Sequence, residues 1–341
     1  MMFYPDSRKY SRTAESWKIN MYSEKEAREL VIKAGHVLVE KGLVARTWGN
    51  VSAKISETEF VITPSGKGYE DLKPEDLVKV KIEDASYEGD IKPSSEKGAH
   101  CAVYSLRRNA NFVIHTHQFY ASALAAEEKD MDFAPCAKYG LPGTDKLKKN
   151  LVKSVGAHPD AKKFLMAKHG ALIIGDSFEE AFELSQELEA ECKKQFNTRI
   201  PSLDQYRTGT VVTDKLKTKD NPFVIVAQDE YINECCHGGV AVKAYIDDFA
   251  QIVGPETSVV ENKRIDIIAG LIGRNAVLVK GVGAVCTGAT KEDAEAVAMI
   301  TSKNCAAACY VRQGKPMGKL DAYLQRIIYK KKYSKLKDSD K

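Results

Sequence analysis

The amino-acid sequence predicts a mixed α/β fold, and three observations support this prediction. Residues 24–41 and 177–196 carry apolar side chains at the spacing of amphipathic helices. Between them lie short apolar runs, each bounded by Gly, Pro, Asn or Asp, as strands commonly are. The same order of strand and helix patterns then returns after residue 220. At 341 residues the chain is long enough for two such units, each with its own core.

The elements of the first half follow from their local patterns. The helix over 24–41 ends at Gly42, and a later helix begins at Ser177, which forms a capping-box pattern with Glu180. The basic run 326–337 is interleaved with Ile and Tyr and predicts a terminal helix with a solvated Lys face. A further helix is predicted over 98–107, and strands over 50–55, 60–62, 77–82, 112–118 and a pair within 164–174 that turns at Lys168-His169-Gly170.

Composition narrows the classes of protein to consider. Apolar residues make up 43% and charged residues 29%, which is neither a disordered nor a membrane composition. A formal net charge of +4 gives no general case for nucleic acid as a partner. No apolar stretch reaches the ~18 residues of a membrane-spanning helix, and residues 1–20 lack the apolar core of a signal peptide. The eight cysteines form no Cys-x-x-Cys pair. We therefore expect reduced thiols and a cytoplasmic location.

An internal repeat divides the chain. Residues 223–225 copy the Phe-Val-Ile of 112–114, and residues 288–305 match 175–192 without a gap. A duplication is the economical explanation. The predicted units are a first, complete domain over 1–200, a polar connector over 201–220 and a degenerate repeat over 221–341.

The two copies differ in their histidines. His115 and His117 are two residues apart on a predicted strand, so their side chains point to the same face. Alone, this short motif is better explained by ordinary hydrogen-bonded residues at a strand end than by a metal site. The second copy, however, has Val226, Gln228 and Val282 opposite the histidines of the first. The second copy keeps the apolar and glycine pattern without the histidines, so the fold does not need them. Because imidazole nitrogen binds zinc well, this contrast favours a metal site in the first copy with His169 as the third ligand.

Three stretches of the first half suit an anionic ligand. They read Gly-Asn-Val-Ser at 49–52, Thr-Pro-Ser-Gly at 63–66 and Pro-Ser-Ser-Glu at 93–96. Small residues, free amides and hydroxyls can wrap a phosphate, although ordinary turns have the same composition. Glu96 could be a fourth ligand, a general base, or a first-turn residue of the next helix. His100 lies one helical turn later and could orient that carboxylate or simply pack.

Taken in order, these motifs resemble the class II aldolase/adducin family. Gly-Asn-Val-Ser, Thr-Pro-Ser-Gly, Pro-Ser-Ser-Glu, His-Thr-His and Lys-His-Gly occur with roughly the family's separations, and the resemblance is nearest to its fuculose-phosphate aldolase branch. It covers residues 24–196. The second half is similar to the family only from its central strand onward.

The resemblance implies a three-layer α/β/α fold and a zinc-dependent cleavage of a ketose 1-phosphate to dihydroxyacetone phosphate and an aldehyde. By the same resemblance, Glu96 would transfer the proton. The tyrosine that helps family aldolases to protonate the aldehyde oxygen has no assigned counterpart among Tyr120, Tyr139 and Tyr206. The implied metal ligands are His115, His117 and His169, for Zn²⁺ or another divalent metal, and the implied phosphate-binding residues are Asn50, Ser65, Gly66, Ser94 and Ser95.

Two other readings remain open. The same scaffold could perform 4-epimerisation, dehydration or decarboxylation, but Glu96 stands where the epimerase branch typically has Asp, which favours the aldolase. A non-catalytic, adducin-like binding protein would have no need for three histidines and Glu96. Family enzymes also complete each site with a neighbouring subunit, so we expect a homo-oligomer, a dimer or tetramer. In it the second half could take a neighbour's place.

Overall fold

A seven-stranded mixed sheet forms the centre of the first half. The structure, a computed structural model, describes residues 21–44, 48–200, 209–311 and 315–339, with side chains as far as residue 331. The strands lie in the order β3-β2-β1-β4-β7-β6-β5, and all neighbours are antiparallel except β5 and β6. Their bounds are β1 Asn50–Lys54, β2 Glu59–Ile62, β3 Val78–Lys81, β4 Phe112–Thr116, β5 Cys136–Ala137, β6 Lys163–Met166 and β7 Gly170–Gly175.

Helices cover both faces of this sheet because alternate strand residues are apolar on both sides. On β4, Phe112 and Ile114 face one core, and Val113 faces the other. The predicted three-layer α/β/α arrangement is therefore confirmed. One layer contains α1 Glu24–Glu40, α3 Phe119–Ala125 and α5 Phe178–Arg199, and the other contains α2 Lys97–Leu106 and α4 Asp145–Ala157.

The second half contains a smaller sheet of four strands in the order β11-β12-β13-β8 and a separate strand pair, β9 with β10. Its strands are β8 Phe223–Ala227, β9 Val242–Lys243, β10 Glu256–Thr257, β11 Val259–Val260, β12 Ala276–Val279 and β13 Gly283–Gly288. Its helices are α6 Glu230–Gly238, α7 Asp247–Ile252, α8 Arg264–Leu271, α9 Lys291–Val311 and α10 Lys319–Ser339.

The strand registers of the two halves correspond. Phe112 pairs with Gly175 in the first sheet, and Phe223 pairs with Gly288 in the second. The next hairpin shows the same correspondence, since Met166 pairs with Gly170 and Val279 with Gly283. Phe112 with Phe223 and Gly175 with Gly288 are positions that the sequence repeat aligned, and the two β-hairpins share their register.

The two halves share apolar packing. One cluster of buried residues contains Ala121 and Leu124 of α3 together with Ala306 and Tyr310 of α9. The predicted connector begins in residues 201–208, which lie outside the described part of the chain. Among the described residues, no helix has the length and apolar character needed to cross a membrane.

Candidate metal centre

Three histidines meet at the end of two neighbouring strands. His115 is on β4, His117 follows its last residue, and His169 lies in the turn between β6 and β7. The ring centroids of the three imidazoles are 4.6–4.7 Å apart. Gly170 permits this approach, because a Cβ atom there would lie 2.2 Å from the Thr116 carbonyl oxygen. The predicted juxtaposition of these histidines is thus present.

Each histidine donates a hydrogen bond through Nδ1, which leaves Nε2 toward the centre. His115 donates to the Ala171 carbonyl at 2.8 Å, His117 to Asp248 Oδ2 at 2.7 Å, and His169 to Asp247 Oδ2 at 2.7 Å. Since carbonyl and carboxylate oxygens only accept, the proton lies on Nδ1 in each neutral ring. In each ring Nε2 is therefore the nitrogen that can offer a lone pair to a metal.

Glu96 completes the group on the open side of the histidines. Its Oε1 lies 3.0 Å from His169 Nε2 and its Oε2 3.1 Å from His115 Nε2. Burial raises the pKa of Glu96, but the positively charged imidazole of His169 outweighs burial and leaves that pKa well below its usual range. Burial would lower the pKa of His169 itself, but Asp247 and Glu96 hold it well above its usual range. Burial lowers the pKa of His115 to about 3. Glu96 is thus an ionised carboxylate beside a neutral imidazole.

The donor set fits a divalent metal ion. The Nε2 atoms of His115 and His117 are 2.9 Å apart, and two lone pairs at that distance repel unless a proton or a cation lies between them. A tetrahedral zinc site, with Zn–N distances of about 2.0–2.1 Å, spaces its nitrogens by roughly 3.3 Å. The ligand atoms of His115, His117 and His169 all lie within 4.8 Å of one another.

The charges around the histidines also fit a divalent ion. Buried carboxylates of Glu96, Asp247 and Asp248 contact the imidazoles, and one ammonium group, that of Lys303, lies 3.9 Å from Asp248. Unbalanced buried charge is costly, and a divalent cation in place of the His169 proton would, together with Lys303, balance the three carboxylates.

Asp247 and Asp248 come from the second half, and the sequence did not predict them as site residues. They begin α7, and their side chains are 0% and 3% exposed. Burial would raise the pKa of Asp248, but His117 and Lys303 lower it to about 2. The signal available in the sequence was two adjacent carboxylates within the otherwise core-forming run 244–250. The contrast with their neighbours suggests a function for these acids.

A chain of buried hydrogen bonds reaches Glu96 from the opposite side. Asn50 Nδ2 donates to Glu96 Oε2 at 2.9 Å, and Asn50 Oδ1 lies 2.5 Å from His100 Nε2. Ser52 Oγ lies 2.6 Å from His100 Nδ1 and 2.8 Å from the Tyr104 hydroxyl. Because Asn50 Oδ1 can only accept, His100 donates through Nε2, and Ser52 donates to its Nδ1. His100 therefore orients Glu96 through Asn50 rather than directly.

The predicted anion-binding residues line the same cleft as His117 and His169. The cleft has a volume of about 350 Å³. The loops at 63–66 and 93–96 lie side by side, since Ser94 N donates to Thr63 O at 3.0 Å and Ser65 N to Lys92 O at 2.8 Å. Gly66 has a positive φ of 82° that other residues rarely adopt. The wall contains Asn50, Ser65, Gly66, Ser94, Ser95, Glu96, His117 and His169.

The opposite wall belongs to the second half. Asp248 and Gln251 of α7 and Gln325, Ile328 and Tyr329 of α10 line the cleft. Helix α10 was predicted, but its Arg326 is not part of a solvated face: it is 9% exposed and donates to the Gln251 carbonyl at 2.9 Å.

The three tyrosines considered from the sequence differ in position. Tyr120 has its hydroxyl 3.4 Å from that of Tyr231. Tyr139 is half-buried, its hydroxyl lies beside Gln325 of the cleft wall, and burial raises its pKa. Tyr206 lies outside the described residues. Tyr329, in the cleft wall, was not considered.

Comparison with known proteins identifies the family. The model of the class II aldolase and adducin N-terminal domain matches residues 29–196, the part of the chain that carries the three histidines and Glu96. The chain belongs to the class II aldolase and adducin family. Its relatives include a 5-deoxy-D-ribulose 1-phosphate aldolase from Bacillus thuringiensis serovar kurstaki, 32% identical over 181 residues, or 50% of this chain and 83% of that protein.

Two further relatives are similar over nearly the same span. An L-fuculose phosphate aldolase from Haemophilus influenzae is 30% identical over 176 residues, which cover 48% of this chain and 79% of that protein. A 3-oxo-tetronate 4-phosphate decarboxylase from Pectobacterium atrosepticum is 28% identical over 193 residues, 52% of this chain and 87% of that protein. Other relatives are named L-ribulose-5-phosphate 4-epimerases and match a shorter stretch of 99 residues. The relatives are thus enzymes of sugar-phosphate chemistry with more than one reaction.

Proposed function

We propose that this protein is a divalent-metal-dependent aldolase that reversibly cleaves a ketose 1-phosphate to dihydroxyacetone phosphate and an aldehyde. The observation that carries the proposal is the convergence of three imidazole Nε2 atoms and the Glu96 carboxylate at a cleft. The wall of this cleft includes His117, His169, Glu96 and residues of the loops at 63–66 and 93–96. In this proposal His115, His117 and His169 hold zinc or a similar ion. A bound ion would supply Lewis-acid polarisation of the ketone and its neighbouring hydroxyl.

The phosphate occupies the end of the cleft formed by the two small-residue loops. Ser65 and Ser95 are exposed there and offer hydroxyl groups, and Gly66 presents backbone without a side chain. Asn50 keeps one N–H of its amide after donating to Glu96. Fixing the phosphate at a distance from the histidines positions the reacting carbon, which lowers the entropic part of the barrier.

Glu96 transfers the proton at the carbon that gains or loses the bond. In cleavage, the hydroxyl on the other fragment gives its proton to the ionised Glu96 carboxylate as that fragment becomes an aldehyde, and the carbon–carbon bond electrons pass to the enediolate of dihydroxyacetone phosphate. Glu96 delivers a proton to the enediolate carbon. In synthesis the steps reverse, and the ionised carboxylate takes that proton from dihydroxyacetone phosphate. The lowered pKa keeps Glu96 ionised, which is the form that can take up a proton.

The wall from the second half favours an aldehyde fragment with polar groups. Gln325 is 3% exposed, and its side chain lies beside the Tyr139 hydroxyl. Its amide is a polar group of the cleft wall that can hydrogen-bond an oxygen of the substrate. Ile328 beside it can accept an apolar carbon.

A coupled assay tests the proposal. The protein, reconstituted with Zn²⁺, is incubated with a panel of ketose 1-phosphates that differ in the aldehyde fragment, and released dihydroxyacetone phosphate is detected. Turnover that depends on metal supports the aldolase. Failure on the whole panel, with metal bound, contradicts it.

The 4-epimerase and decarboxylase activities are the second candidates, because relatives at comparable identity bear those names. Epimerisation would interconvert two pentulose phosphates without releasing a fragment, and decarboxylation would release CO₂ from a 3-oxo acid phosphate. Chromatography of the same reaction mixtures separates these products from those of an aldolase. A non-catalytic binding role is disfavoured because the metal ligands and Glu96 are all present.

A further inference from the structure

The second half of the chain has no histidine at the repeated positions, yet it contacts two of the histidines of the metal centre. Asp247 and Asp248 accept hydrogen bonds from Nδ1 of His169 and His117, each at 2.7 Å. These pairs are 78 and 131 residues apart in the sequence. His115 differs, since its Nδ1 donates to the Ala171 carbonyl within the first half.

We propose that Asp247 and Asp248 are positioning residues that set the metal affinity of His169 and His117. A carboxylate that accepts from Nδ1 fixes the ring orientation and the tautomer, and it makes the opposite nitrogen a stronger donor to the metal. The inference rests on the metal-dependent part of the proposed function. It assigns to the second half a chemical contribution to the centre, in addition to its wall of the cleft.

The scaffold holds these carboxylates in place at both ends of α7. Asp247 N donates to the Lys168 carbonyl at 2.9 Å, which ties the start of α7 to the turn that carries His169. At the other end, Arg326 donates to the Gln251 carbonyl. The backbone just before α7 is held as well, since Tyr245 N donates to Asn304 Oδ1 at 2.8 Å. Such fixation is what a ligand-orienting residue requires.

Lys303 argues against a second metal ion beside these carboxylates. His117 Nδ1 and the two aspartates are close enough together to be considered as ligands. However, His117 Nδ1 already donates its proton to Asp248. The Lys303 ammonium is 3% exposed at its side chain, lies 3.9 Å from Asp248 and donates to the His117 carbonyl at 2.6 Å. A positive charge is therefore present at this point, and the aspartates act through the histidines.

Metal affinity of the full-length protein tests the inference. The dissociation constant for Zn²⁺ is measured by competition with a chromogenic chelator at pH 7.5, for wild type and for Asp247→Asn and Asp248→Asn separately. Asn has the shape of Asp, but its NH₂ can face the imidazole and favour the tautomer with the proton on Nε2. We expect each variant to bind Zn²⁺ 10–100-fold more weakly, on the order typical of such partners.

A second readout separates this role from mere attachment of the two halves. The thermal midpoint is measured in EDTA for each variant. A role limited to docking would lower that midpoint and leave the Zn²⁺ dissociation constant unchanged, and this result would overturn the inference. The matched control is Asp220→Asn, an exposed acid at the end of the connector, for which the dissociation constant should stay within twofold of wild type.

The outcomes also distinguish this inference from the proposed function. A wild-type protein that binds no Zn²⁺, Mn²⁺ or Co²⁺ contradicts both. Tight binding in wild type with equal binding in both Asn variants contradicts only the inference. Weakened binding in the variants, together with an inactive wild type in the aldolase assay, supports the inference and contradicts the aldolase.

Discussion

Replacing Glu96 with Gln is the sharpest test of the proposed chemistry. Gln keeps the size of the side chain and can still accept a hydrogen bond from Asn50, so the local structure should persist. The amide cannot take a proton from carbon. Among the described residues that line the cleft, the other carboxylate is Asp248, which already accepts from His117 and is held by α7. Asp248 is therefore not free to replace Glu96 as the base.

The expected loss is near the upper end of the range for general acid–base catalysis. Removing such a group typically costs 10²–10⁴-fold in rate, or about 3–5 kcal/mol in the barrier. Without a substitute base we expect about 10³–10⁴-fold for Glu96→Gln. Zinc content should remain close to that of wild type, because the three imidazoles that supply the metal-binding nitrogens are unchanged.

Proton exchange gives a direct measurement. Dihydroxyacetone phosphate alone is incubated with enzyme in D₂O, and loss of one carbon-bound hydrogen is followed by NMR. Wild type should exchange it, and Glu96→Gln should not. Glu83→Gln, at an exposed position, is the matched control. An exchange rate in Glu96→Gln within tenfold of wild type, at equal zinc content, would refute the assigned role.

Three further predictions concern metal, pH and assembly. His117→Ala should lose both zinc and activity, measured by metal analysis and turnover; full zinc content in this variant would remove His117 from the ligands. Burial lowers the pKa of His100 to about 4 in the folded protein. Below about pH 6.5 the unfolded chain therefore binds a proton at His100 that the folded protein does not bind. This difference lowers the free energy of unfolding by about 2 kcal/mol between pH 7.5 and pH 5. Urea unfolding in EDTA should show a shallower pH dependence for His100→Gln; an identical slope is the contrary result. An apolar stripe on α10 is exposed, with Leu320, Leu324 and Ile327 at 81%, 41% and 49% exposure. We therefore expect a homo-oligomer that Ile327→Glu dissociates, as the mass from light scattering would show. A monomeric wild type contradicts this expectation.

Local patterns were enough to predict the elements that carry the histidines. The apolar run before His115 and the break at Lys168-His169-Gly170 depend on neighbours within a few residues, and β4, β6 and β7 lie where the patterns placed them. The turn itself needs a left-handed residue, and Lys168 adopts a φ of 58° there. The second copy has the same pattern without histidines, which indicated that the hairpin does not need them to fold.

Long-range partners could not be predicted in the same way. An acid at a helix start is usually explained by the helix dipole, so Asp247 and Asp248 look ordinary in the sequence. Their contacts with the histidines depend on how α7 docks against the turn at Lys168, and no local spacing encodes that docking. The role of His100 could not be decided from the sequence for a related reason. His100 reaches Glu96 through Asn50, and Asn50 lies on β1, far in sequence from both residues.

The origin of Asp247 and Asp248 in the second half has a consequence for the order of events during synthesis. A ribosome releases His115, His117 and His169 well before residue 247 emerges, so a growing chain presents all three imidazoles without two of their carboxylate partners. Full metal affinity would then arise only after α7 has formed and docked. Only a chain synthesised beyond α7 would then bind the metal at full affinity, and a product truncated before residue 247 would compete poorly for scarce zinc.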